Sequence, residues 1–196
     1  LPLRNWMLTE YPKEKMEWVI IDDGEESLKD LVENDSRIRY IHMEAKHPLP
    51  IGHKRNLCVE FAKNDIILCM DDDDYYVPEH ALSRVKALLK YQKENVGCVG
   101  CSAMGAMDLT SDKSSFISNG PQYLTESTLA FTKKFWKERK FMQDVRSGEY
   151  FKFIQYRQNE IRSIPYQFVS VAFFHGQNMS GLSRKISETQ GSYHTI

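Results

Sequence analysis

The chain has 196 residues, enough for one domain with an ordinary buried core. Its 26 Lys+Arg nearly balance 27 Asp+Glu, and the formal net charge of −1 excludes the broad basic field that nucleic-acid or anionic-membrane binding needs. No apolar run approaches the roughly 20 residues of a spanning helix, so no integral membrane segment is expected.

In chain order, Leu1 to Glu10 reads as a helix. Trp18-Val-Ile-Ile21 is a short apolar run closed by Asp22-Asp23-Gly24, the pattern of a strand ending in a turn. Ser27 to Asn34 predicts a short helix and Ile38 to Met43 a second strand. Ile51 to Lys63 predicts a helix with Leu57 and Phe61 on its apolar face. Asp65 to Met70 is nearly all apolar, as in a strand covered on both faces. Pro78 suits the first turn of a helix reaching about Asn95, with Leu82, Val85 and Leu89 as its core stripe. Gly97 to Met104 predicts another strand.

Beyond that strand the pattern is less regular. Asp108 to Pro121 reads as a polar loop, Ser127 to Thr132 as a strand, Lys134 to Arg139 and Glu149 to Gln158 as helices, and Ser163 to Phe174 as strand-like. Strands alternating with helices imply an α/β fold on a mostly parallel sheet, in which ligands bind at the carboxyl ends of strands.

Cys98-Val-Gly-Cys101 has the spacing of half a zinc site, but Cys58 and Cys69 do not form a second close pair. The cysteines read instead as small buried side chains, and reduced thiols fit a cytoplasmic protein. There the sequon Asn178-Met-Ser180 would carry no glycan.

The strongest chemical signal is Asp71-Asp72-Asp73-Asp74-Tyr75-Tyr76 after an apolar strand. Adjacent carboxylates repel, and a cation offsets that charge. Oxygen ligands select Mg2+, Mn2+ or Ca2+ over zinc. In an extended segment Asp71 and Asp73 share a face, with Asp72 and Asp74 turned elsewhere. The plainer alternative is a solvated turn capping the helix after Pro78. Asp22-Asp23-Gly24 ends its strand with carboxylates able to accept hydrogen bonds from a nucleobase or ribose, although many strands end in Asp-Gly turns. Ile51-Gly52-His53-Lys54-Arg55-Asn56 sets two cations at a helix start, which suits a diphosphate; the alternative is a pair of exposed helix charges.

These segments, in this order, resemble the GT-A glycosyltransferases, especially family 2. Tyr11-Pro12 matches the Tyr-Pro that precedes the family's second strand, and the resemblance covers residues 1 to about 104. The wording is also similar to that of glycosyltransferases of large DNA viruses. The resemblance implies a GT-A, Rossmann-like fold over 1–196, with nucleotide-sugar and metal binding in 1–104 and acceptor binding in 105–196. The strand that opens the family's fold has no counterpart here, and Leu1 to Glu10 takes the place of the helix after it.

What the resemblance implies is a metal-dependent hexosyltransferase using a UDP- or GDP-sugar donor and a glycan or glycoprotein acceptor. Asp73 would be the direct metal ligand, with Asp71, Asp74 and His175 completing the metal set. Asp22, Asp23, Lys54, Arg55, Asp71 and Asp72 would contact the nucleotide sugar. Glu149, in Ser147-Gly148-Glu149-Tyr150, holds the place of the family's acidic base, with Tyr150 replacing the aspartate that follows. One displacement assisted by Glu149 would invert the anomeric centre. Glu126 is a second candidate base, and Phe135, Trp136 and Phe141 form either an acceptor-stacking platform or core. Two other readings stay open: a catalytically degenerate sugar-nucleotide or divalent-ion module, and a phosphohydrolase of the haloacid dehalogenase type, whose Asp-x-Asp sits on the first strand.

Overall fold

In the computed structural model the described residues are 1–175 apart from 45–46, 119, 121–122 and 146–147; the sequon at Asn178 lies outside them. The elements in order are α1 (Pro2–Leu8), β1 (Trp18–Asp22), β2 (Ile38–His42), α2 (Ile51–Phe61), β3 (Ile66–Leu68), β4 (Tyr75–Tyr76) and α3 (His80–Tyr91). There follow β5 (Cys98–Gly100), β6 (Ala103–Asp108), β7 (Lys113–Ser118), β8 (Ala130–Thr132), α4 (Lys133–Glu138), α5 (Tyr150–Ile154), β9 (Ile161–Ser163) and β10 (Ser170–Phe174).

The residues fall into two compact units. Among the described residues one comprises Leu1–Glu10, Leu68–Ala130 and 158–175; the other is Tyr11–Ile67 with Phe131–Arg157. One four-stranded sheet has the order β3-β8-β5-β9 and another the order β4-β10-β6-β7. The expected α/β alternation is present, but the β4-β10-β6-β7 sheet is mixed. Pairs β1–β2, β5–β9 and β6–β10 run parallel, whereas β4–β10 and β6–β7 are antiparallel.

Several expectations change for identifiable reasons. The helix expected from Ser27 shrinks to one 3-10 turn at Lys29–Leu31. Leu28 and Leu31 are 54% and 63% exposed and Val32 alone of its apolar residues is buried, too little of an apolar face to hold a longer helix. The Gly97–Met104 strand divides at Cys101 and Ser102. Their N–H groups go to Thr128 Oγ1 (2.8 Å) and Ser163 Oγ (3.1 Å) instead of to a ladder. The expected loop from Asp108 contains β7, registered on β6 from Ala103↔Ser118 to Asp108↔Lys113. Ile117 packs on Met104, Ala106 and Ala172 while Phe116 faces outward, a one-sided strand. The helix expected to reach Gln158 stops at Ile154, before Tyr156 takes a left-handed φ of 60°.

The stripes that the helices bury differ in part from the expected ones and include polar residues. On α2 the buried residues are Gly52, Asn56 and Val59, while Phe61 is exposed. On α3 they are His80, Ala81, Arg84, Val85 and Leu88, and Leu89 turns outward. The proposed platform residues Phe135, Trp136 and Phe141 are core: Phe141 stacks on Phe153 at 4.2 Å, and Phe135 meets Phe153 edge-on at 5.1 Å. Cys69, Cys98 and Cys101 are buried, and burial pushes the Cys101 thiol up to about 11, away from the thiolate that zinc needs.

Candidate active site

The acidic turn lies in the first unit, between β3 and β4. Antiparallel pairing of β4 with β10 sets Tyr75 opposite Val171 and Tyr76 opposite Ser170. Walking back along β4 into the turn therefore means walking forward along β10 toward its end, which brings His175 to the turn. His175 Nε2 lies 3.5 Å from Asp73 Oδ2, each side chain 36% exposed. Phe173 stacks against Tyr75.

The turn's carboxylates have separate environments. Asp72 is exposed, and Asp71 and Asp73 are half-buried. Asp74 turns inward, 7% exposed, accepting the Phe173 N–H at 3.3 Å. Burial, with Asp71 and Asp73 beside it, pushes the Asp74 carboxyl up to about 7. Below it Tyr76 is fully enclosed, its hydroxyl accepting the Asp71 N–H (2.8 Å) and donating to the Ser127 carbonyl (2.9 Å). Burial raises the Tyr76 pKa, which keeps that hydroxyl a donor. The polar contacts of Tyr76, and those of Asn5 with the Asp74 carbonyl and the Tyr76 N–H, carry no local sequence signal.

Among the described residues no three His, Cys, Asp or Glu gather as a preformed metal cluster. Asp73 and His175 nevertheless fit a divalent cation. Neighbouring ligands on a small octahedral ion stand about 3 Å apart, close to their separation, and carboxylate with imidazole is a donor set that Mn2+ accepts. Other coordination positions would fall to oxygens from a ligand.

His80, behind the turn, is 4% exposed and neutral: burial first, then Arg84, lowers it to about 2. Arg84 has only donors, so the lone pair on His80 Nδ1 receives one of them, and Nε2–H donates to Thr9 Oγ1 at 3.0 Å. His80 and Asp74 make opposite contributions to acid stability. A buried neutral His loses stability as pH falls below its unfolded value near 6.5, whereas a raised Asp gains stability as pH falls through about 7. In chelator the two contributions nearly cancel between pH 7 and 5. Asp74→Asn, which can still accept the Phe173 N–H, removes the gain, so its urea stability should fall by about 2 kcal/mol over that interval, while the parent stays nearly level. A level profile in the variant would show that His80 is not the neutral buried group.

In the second unit, β1 pairs with β2 from Trp18↔Ile38 to Asp22↔His42, so Asp22 and Asp23 stand at a strand's carboxyl end. Asp22 accepts the Tyr40 hydroxyl and the Gly24 N–H (2.9 Å), closing its own turn. Burial pushes Asp22 up, but Tyr40, the Gly24 and Leu28 backbone and His42 together outweigh it and hold the carboxyl low. Asp23 accepts the Leu49 N–H (2.6 Å) and Lys54 Nζ (2.9 Å), and these bonds likewise overcome burial.

Lys54, Arg55 and Asn56 at the α2 start each have a partner inside this unit. Lys54 takes Asp23, and Arg55 pairs with Glu149 Oε1 at 2.8 Å, the glutamate 1% exposed. Asn56 donates to the Phe141 carbonyl and accepts Trp136 Nε1 and the Phe141 N–H. Gly52 allows this approach, since a Cβ there would stand 1.8 Å from the Met142 carbonyl oxygen. Lys54 and Arg55, expected at the nucleotide, are thus seen on carboxylates. Glu126 is half-buried beside β8.

The signature of glycosyl transferase family 2 matches residues 3–168. Solved structures share the fold. TarS of S. aureus, residues 1–349 with UDP-GlcNAc, superposes with a TM-score of 0.70 at 17% identity, over 90% of this chain and 54% of that one. The mannosyltransferase PcManGT of Pyrobaculum calidifontis, with GDP-Man and Mn2+, gives 0.61 at 18% identity, over 86% and 51%. The chain therefore spans about half the length of each. No curated protein sequence matches it. Among the described residues no helix is long and apolar enough to cross a membrane.

Proposed function

The chain belongs to glycosyl transferase family 2 and has the GT-A fold, and from that premise we propose that it transfers a sugar from a nucleoside-diphosphate sugar to an acceptor hydroxyl with Mn2+ or Mg2+. Family membership removes the dehalogenase-type alternative. The observation that carries the reading is the meeting of Asp73 with His175 at the end of the acidic turn.

Asp73 and His175 would hold the cation, with Asp71 supporting it through water or a ribose hydroxyl. A bound divalent ion supplies Lewis-acid neutralisation of charge on the departing nucleoside diphosphate. Asp74 supports the turn from inside, and exposed Asp72 would contact the nucleotide sugar. Asp22 and Asp23 fix the nucleoside end, with Lys54 holding Asp23 and Tyr40 holding Asp22. Glu149 would take the acceptor proton as the hydroxyl attacks; its carboxylate is 1% exposed and paired with Arg55, so this role requires acceptor binding to open that pair. A single displacement gives inversion. We read 1–196 as one such domain, with the acceptor selected by residues after Met104.

The test is a panel of UDP- and GDP-sugars, with release of nucleoside diphosphate followed in Mn2+, Mg2+ or chelator. Metal-dependent turnover of one donor, with an inverted product, is expected. Donor binding without turnover would make the chain a binding module, and a retained product would remove Glu149 from its role.

A further inference from the structure

The hexapeptide from Asp71 to Tyr76 is held at separate backbone points by two buried side chains. Asn5, on α1 and 2% exposed, donates from Nδ2 to the Asp74 carbonyl at 2.8 Å, and its Oδ1 accepts the Tyr76 N–H at 3.3 Å. Tyr76, 1% exposed, returns its own hydroxyl to the Asp71 N–H at the head of the same segment. Its second bond, to the Ser127 carbonyl, ties the phenol to the polypeptide just before β8. Two further contacts fasten α1 beside the turn: the Glu10 N–H to the Pro78 carbonyl at 2.8 Å, and Thr9 Oγ1 to His80. With only seven residues and no side-chain cap, α1 is held by these tertiary bonds more than by its own helical propensity.

This arrangement costs more than a plain loop would need. An unpaired buried carbonyl or N–H is expensive, so the bonds are strongly directional constraints on the turn. Their effect is to close the segment from its first N–H to its last, with Asp73 at the crest between the pinned points. Mutual repulsion of the carboxylates would otherwise spread them apart.

We propose that Asn5 and Tyr76 are positioning residues that hold the acidic turn in its closed form and thereby set its affinity for the divalent cation. The inference rests on the metal-dependent reading above. Neither side chain touches the cation; both act through the backbone of Asp71, Asp74 and Tyr76.

Mn2+ titration by calorimetry, in the presence of a nucleoside diphosphate, separates this from a purely structural role. The proteins compared are the parent, Tyr76→Phe, Asn5→Ala, and Leu88→Ala as an equally buried core truncation on α3, with urea stability measured on each. Tyr76→Phe retains the ring over Arg84 and loses only the hydroxyl. Tyr76→Phe and Asn5→Ala should weaken Mn2+ binding about 10- to 100-fold, the range for supporting groups around metal ligands. Leu88→Ala should lose stability and keep the parent's Mn2+ affinity. Unchanged Mn2+ affinity in a folded Tyr76→Phe, or an equal loss in Leu88→Ala, would overturn the inference and leave the transferase reading intact. A parent that binds no Mn2+ would overturn both.

Discussion

Asp73→Ala should abolish metal-dependent turnover while leaving the fold as stable as the parent or slightly more so. Asp73 is half-exposed and meets His175, so removing it takes away the carboxylate of the pair that fits a cation. Loss of one preorganised electrostatic stabiliser costs about 10²- to 10³-fold in rate, or ~3–4 kcal/mol of transition-state stabilisation. The truncation also removes one of four adjacent like charges and lowers the repulsion that raises Asp74. Rate and stability therefore move in different directions, which an unfolding artefact cannot imitate. Asp72→Ala, at the exposed position, should stay within about tenfold of the parent, since rim charges contribute little. Nucleoside diphosphate release over a Mn2+ titration measures both. An Asp73→Ala protein with the parent's rate and the same Mn2+ dependence would remove the acidic turn from the metal's neighbourhood.

The second large effect is on stability. Arg84→Met should cost about 3 kcal/mol and lower the melting temperature by roughly 6–12 °C. Arg84 is wholly buried, and its guanidinium donates to the carbonyls of Cys69 (2.7 Å), Leu129 (3.3 Å) and His80 (3.3 Å), and to His80 Nδ1. Burial lowers its pKa, with Tyr76 as the largest opposing influence. Methionine fills much of the volume but leaves those carbonyls without the donors that Arg84 supplied. Arg84→Lys should recover little, because a point ammonium cannot reproduce the planar fork. Urea denaturation decides it: a loss below about 1 kcal/mol for Arg84→Met would show that water replaces the guanidinium at little cost.

Much of the donor-side architecture is legible in the sequence because its signals are local. Trp18–Ile21 and Ile66–Leu68 are apolar runs closed by acidic turns, and both form strands there. The start of α2 sits where Pro50 and Gly52 allow, and Lys133–Glu138 is a helix as expected. Local periodicity fails where buried positions are polar. Leu82 and Leu89 drew the stripe of α3 away from Arg84 and His80, whose burial depends on carbonyls far along the chain. The same holds for Asn56, which looks like a surface residue until Trp136 and Phe141 bond to it. Strand β7, with Ser114 and Ser118 flanking Phe116 on its open face, reads as loop because its pairing with β6 is non-local.

From the sequence alone came the family, the strand–helix alternation and the inventory of candidate carboxylates, since each rests on neighbours within a few positions. Tertiary structure decided which of those groups meet: Asp73 with His175, Asp23 with Lys54, Arg55 with Glu149, and Asp74 with the backbone of β10. It also turned Phe135, Trp136 and Phe141 inward as core. The physical reason is common to all of these. A charge or a ring is exposed or buried according to the partners that long-range pairing brings to it, and the register of β4 on β10 or the closeness of Gly52 to Met142 is set by packing that no local pattern encodes.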